Sequence, residues 1–172
     1  MAVTAGTWRL VDPRLGAQPI AEVSTTKQHP FGTIVRAVDV GTTAYGEGEF
    51  IYVKGVASGA LKAWAGYVSK TGLTTLAVAN GNYPLGVMMS ALDATTDFGW
   101  LQIKGRAIAK ALTSFADAGV CYLTSTAGSV DDASVAGDMV WRAKGASTTT
   151  ANSFVAEFEI ARPFTTDKTA NT

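Results

Sequence analysis

Apolar positions in this chain come in short runs, and the clearest of them alternate with polar ones. In FGWLQIKGRAIAKAL (residues 98–112), a period of two puts Trp100, Gln102, Lys104 and Arg106 on one face and Leu101, Ile103, Ala107 and Ala109 on the other. That pattern predicts a half-buried antiparallel strand with its Lys104 and Arg106 face toward water. Gly105 interrupts it and predicts a bulge or the close approach of another backbone. From Gly46 onward similar segments recur, EFIYVKGV, AGYV, YPLGVMM, GVCYL, DMVWRAK and FVAEFEIA, separated by clusters of Gly, Ser, Thr, Asn and Asp. This punctuation predicts an all-β fold, a compact sandwich or barrel. AIAKALTSFADAG could form a short helix on its alanines, but the strand it continues and its Thr-Ser break favour strand and then turn.

The first 40 residues break the pattern. Pro13, Pro19 and Pro30 are spread through them with few sustained apolar periods between, and proline at that density resists both helix and central strand. Residues 1–40 are therefore expected to form an extended arm, anchored by isolated apolar residues such as Trp8, Leu10 and Ile20 and ordered by a partner surface. Residues 41–163 would be the β-rich core domain, and residues 164–172 a short flexible polar tail. A weak echo relates residues 51–68 to residues 121–140, with Tyr52 over Tyr122 and Gly66 over Gly137. Two strand-turn-strand units would explain it, as would the general likeness of glycine-rich β segments.

Composition narrows the function classes. The 172 residues suffice for one domain with a real core. Charged residues make up 16 % of the chain, against about 25 % for soluble proteins in general. The 14 basic and 14 acidic side chains cancel, so nothing steers the chain toward nucleic acid. Such weak mutual repulsion suits a protein that ends in an assembly, and self-association is expected. No apolar run approaches the roughly 18 residues of a membrane span, and the first residues lack the layout of a signal peptide. The expectation is synthesis in a cytoplasm and no membrane partner. Cys121, the single cysteine, sits in GVCYL and reads as a buried strand position.

Candidate chemistry is sparse. The one histidine, His29, precedes Pro30, which favours extended backbone there and a turn-fixing role over general-base work. One His and one Cys cannot close a zinc site. Glu47 and Glu49 in GEGEFIY read as a solvated turn before a strand from Phe50 to Val53, since the carboxylates of a glycosidase come from separate elements across a cleft. Asp131 and Asp132 read as a turn without the further oxygen ligands calcium needs. No glycine cluster matches a phosphate-binding loop. Lys104, Arg106 and Lys110 lack the aromatic ladder of a nucleic-acid surface and read as a solvated or subunit-facing strand. No catalytic, cofactor-binding or metal-ligating residue is assigned, and no enzyme is expected.

The order STTKQHPFGTIVRAVD, GEGEFIYVKGVAS, YPLGVMMSALDATTDFGWLQIKGRAIAK, GVCYLTSTAGSVDDASVAGD resembles the decoration, or cement, proteins that coat the heads of tailed bacteriophages. The likeness spans roughly residues 15–163 and rests on glycine and aromatic patterning. It implies an all-β, often trimeric protein on the outside of the capsid, reinforcing the major capsid protein lattice after expansion with extended termini reaching across neighbours. The implied location is the virion surface, after synthesis in the host bacterial cytoplasm. Partner contacts are then expected from Trp8, Leu10, Ile20, Trp100, Lys104 and Arg106. The alternative is a host-surface or glycan-binding module of the virion, in a tail or fibre, with Trp64, Trp100 and Trp141 stacking on sugar rings, against which stands the reading of Trp100 and Trp141 as core or interface residues.

Overall fold

The alternating stretch at residues 98–110 is the spine of the molecule. A computed structural model describes residues 7–11, 16–41, 45–149 and 154–166, and among these there are eleven strands and no helix. They are β1 (Trp8–Leu10), β2 (Ile34–Asp39), β3 (Glu47–Lys54), β4 (Trp64–Tyr67), β5 (Thr74–Leu76), β6 (Leu85–Met88), β7 (Phe98–Lys110), β8 (Val120–Leu123), β9 (Val130–Asp131), β10 (Met139–Gly145) and β11 (Val155–Thr165). The fold is all-β and its named ladders are antiparallel.

The first half of β7 pairs with β3 and β6, and its second half pairs with β11. The main path runs β1-β2-β3-β7-β11-β10-β8-β9, with β4, β5 and β6 branching from it. Ala111, just past β7, makes a parallel bridge to Val130 of β9. That bridge returns the path to β7 and closes a small barrel-like ring, β7-β11-β10-β8-β9. The helical alternative for AIAKALTSFADAG is not taken up, because β7 runs on to Lys110 and turns afterwards.

Alternation on β7 explains the core. Leu101 and Ile103 pack with Ile51, Val53, Met88 and Leu92. Further along the same face, Ala107, Ala109 and Ala111 are small enough to admit Phe115 and Phe158, whose rings meet at 5.2 Å inside the ring of strands. Cys121 is fully buried there, as its setting predicted. Gly105 meets the expected close approach of another backbone, with a β3–β7 register irregularity nearby at Ile103. Its φ is +100°, and a Cβ would lie 2.5 Å from the Glu47 carbonyl oxygen.

The opposite face of β7 meets water only in part: Lys104 and Arg106 reach solvent, as alternation predicts, whereas Trp100 and Gln102 are buried. Residues 16–33 lie across Trp100. The Trp100 indole N–H donates to the Gln18 carbonyl at 2.9 Å, and the Gln18 side chain donates to the carbonyls of Glu22 and Phe98. The Tyr52 hydroxyl donates to Gln18 Oε1, and the Gln18 backbone N–H donates to His29 Nε2. The His29 ring rests on Tyr52 and Trp100 at 5.0 and 5.5 Å.

Strand pairing crosses the expected division at residue 40. β1 pairs with β2, and β2 pairs with β3 across the proposed boundary. Ile20 is 1 % exposed, within a cluster that includes Val35, Phe50, Tyr52 and Trp100. The described part of the arm covers its own domain. Proline spacing concealed this because the strip is held by scattered polar contacts and single apolar anchors, which have no period. At the other end β11 continues through Phe164 and Thr165, which were expected in the tail; residues 167–172 of that expected tail lie outside the described residues. The segments of the internal echo fold differently: β8 pairs directly with β10, whereas β3 and β4 do not pair with each other.

Candidate functional site

On the covered face of β7, the N-terminal strip shelters Trp100, while Tyr45 and Trp8 pack near Ile108 further along. Between these covers, over Gln102 and Arg106, lies a cavity of about 330 Å³. Trp8 of β1 stands edge-on to Phe50 at 5.0 Å and forms one wall. Ala21 and Val23 of the strip and Met88 to Ala91 at the end of β6 form others, with Leu61 and Lys62 from the loop before β4.

The cavity walls are mainly apolar, with a few polar groups set among them. Arg106 forms an ion pair with Glu157 and lies 5.9 Å from the centre of the Tyr45 ring. The Gln102 amide donates to the carbonyls of Lys104 and Arg106, bracing the backbone around Gly105. Among the described residues, the buried side-chain polar atoms without a hydrogen-bond partner are Trp8 Nε1, Ser90 Oγ and Arg106 Nε. All three belong to residues that line this cavity. Since buried polar groups in folded proteins are nearly always paired, their meeting at one cavity marks it as the candidate site.

The expected partner contacts separate into three groups. Trp8 and Arg106 come together at the cavity. Lys104 is exposed and forms an ion pair with Glu49 at 3.0 Å, where Arg162 of β11 also binds at 2.8 Å. Leu10, Ile20 and Trp100 turn inward: Leu10 packs half-buried against the Phe50 cluster, and the other two are buried in it. Ile20 and Trp100 therefore cannot serve as contact residues in this conformation. Of the tryptophans considered for sugar stacking, Trp64 and Trp100 are fully buried, while Trp141 is 43 % exposed.

Other sequence candidates also have defined places. Glu47 and Glu49 do not form a solvated turn, because β3 begins at Glu47. Glu47 pairs with Arg36, and the Arg162 guanidinium, hydrogen-bonded to Glu49, holds that carboxyl below its ordinary range. Burial lowers the pKa of His29. Burial also pushes the Cys121 thiol up to about 12, which removes it from thiolate chemistry at neutral pH. Asp131 ends β9, and Asp132 follows it and accepts from the Ala116 N–H. Among the described residues no group of three His, Cys, Asp or Glu is placed to hold a metal.

Ser90 and Lys62 were not singled out in the sequence. Ser90 follows the run YPLGVMM and Lys62 lies in a loop, so neither stands on an alternating segment that would mark its direction. Comparison with protein-family models, with curated proteins and with solved structures finds no match.

Proposed function

We propose that this chain is a structural virion protein, a decoration or cement protein that binds the outer surface of a tailed-phage head and stabilises its lattice. It acts by binding, without turnover. Its partners are the major capsid protein and further copies of itself, as a homotrimer, after synthesis in the bacterial cytoplasm.

The observation that carries this reading is the state of the open sheet edges. Among the described residues β1 pairs only with β2, and β5 only with β4, so each has one side without a strand partner there. Val11 and Val40 flank β1, and Val68 and Leu73 flank β5, all between 47 and 55 % exposed. Val68 and Leu73 are joined by a backbone hydrogen bond and share a groove of about 240 Å³ with Tyr67 and Tyr83. Proteins that stay monomeric usually blunt such edges with charge or cover them. Exposed aliphatic side chains beside these edges, on a chain of zero net charge, suit repeated contacts, and many weak contacts on a lattice multiply through avidity.

Replacing Val68 and Leu73 together by lysine tests this. Both side chains are solvent-facing, so the variant should melt within a few degrees of the parent. Its binding to expanded heads in co-sedimentation should fall at least tenfold. Unchanged binding would remove the β5 edge from the interface.

One observation favours the alternative, a glycan-binding module. Trp141 stacks on Phe164 with ring centres 6.4 Å apart and planes at 14°, and Arg142 lies 5.8 Å from the Phe164 ring. An exposed aromatic pair of this kind can receive a sugar face. Glycan-array binding that is lost on Trp141→Ala would favour the module over the capsid reading.

A further inference from the structure

We propose that the cavity over Gln102 and Arg106 is a binding site for a small apolar carboxylate. This does not rest on the capsid reading and would hold for a virion protein of another kind.

The cavity differs from an ordinary packing void. Its volume of about 330 Å³ is roughly ten times the 30 Å³ that one water occupies in the liquid. It lies at the small end of the roughly 300–1,000 Å³ typical of ligand sites. The same face of β7 is closed on either side, at Trp100 by the Gln18 strip and at Ile108 by Tyr45 and Trp8. The gap is therefore bounded.

Its unpartnered groups define the ligand. Trp8 Nε1–H and Arg106 Nε–H can only donate, and the Ser90 hydroxyl can do either. Ser90 is 6 % exposed, too buried for bulk water to satisfy it freely. Leaving such groups unmade is unfavourable, and an incoming acceptor removes the penalty. Charge narrows the choice further. Arg106 and Lys62 line the cavity, and among the described residues no Asp or Glu does. Glu157 balances Arg106, while Lys62 forms no ion pair among the described residues, so the lining favours an anionic head. The remaining walls, Met88, Met89, Leu61 and Ile108, are aliphatic, and methionine adapts to apolar bodies of varied shape. An acceptor head carrying one negative charge on a compact apolar body is a carboxylate of a medium-chain or small aromatic acid.

Isothermal titration of the full chain with sodium octanoate, and with 1-octanol as its uncharged match, tests the site. The expected result is saturable one-to-one binding of octanoate, with octanol at least tenfold weaker. Arg106→Gln and Lys62→Gln should each weaken octanoate at least fivefold and leave octanol unchanged. Thermal melts accompany both variants. If Arg106→Gln fails to fold because Glu157 loses its partner, Lys62→Gln decides alone. Absence of saturable octanoate binding, equal affinity for octanol, or octanoate affinity unchanged in Lys62→Gln would each overturn the proposal.

Discussion

Gln18 is the residue on which the N-terminal strip turns. Its carbonyl takes the Trp100 indole N–H, and its side chain joins Glu22, Phe98 and Tyr52. Gln18→Ala leaves the Tyr52 hydroxyl without its acceptor and should cost about 1–3 kcal/mol in denaturant unfolding. Trp100→Ala also opens a cavity and should cost about 3–5 kcal/mol. His29 adds a pH dependence with a definite sign. Burial lowers its pKa in the folded state, so the unfolded chain takes up the proton first. Stability is full above the unfolded value of about 6.5, falls as the pH drops below it, and levels off once the folded site is protonated as well. Protonation also removes the acceptor Nε2 from the Gln18 N–H. Melting curves from pH 8 to pH 5 should show this loss in the parent, and a smaller one in His29→Gln.

Among the elements, β7 was the most legible and residues 1–40 the least. The apolar set Leu101, Ile103, Ala107 and Ala109 could be read from a period of two, and Gly105 could be read as an interruption with a backbone nearby. Gly105→Ala would force a side chain into φ +100° and against the Glu47 carbonyl. It should therefore cost about 1–3 kcal/mol, with β3–β7 amides losing hydrogen-exchange protection first. The other face of β7 was legible only in part: Lys104 and Arg106 reach water, but Trp100 and Gln102 are covered. Whether Trp100 meets water depends on a strip some 80 residues away in sequence, whose contacts are single hydrogen bonds and ring edges. The candidate cavity was half legible: Trp8 and Arg106 stood out by type, but Ser90 and Lys62 lie where no period gives them a direction. Deleting residues 1–33 uncovers Trp100 and Tyr52, so the truncated chain should lose its cooperative thermal transition. Retention of the full-length melting temperature would show the strip to be dispensable for folding.

For the molecule as a whole, 14 positive and 14 negative charges and exposed aliphatic side chains beside two open sheet edges leave little to hold copies apart. Sedimentation velocity at micromolar concentration should show a trimer, and a monomer at all concentrations would count against lattice assembly. The central claim is that the protein fastens to an expanded phage head. Its most direct test is cryo-electron microscopy of expanded and unexpanded heads from the parent phage, each incubated with the purified chain. The expected result is ordered density on the outer surface of expanded heads alone, at a fixed position of the lattice, with a β1 or β5 edge against the capsid or a neighbouring copy. Saturating concentrations that leave expanded heads bare, or density confined to the tail, would contradict the decoration role.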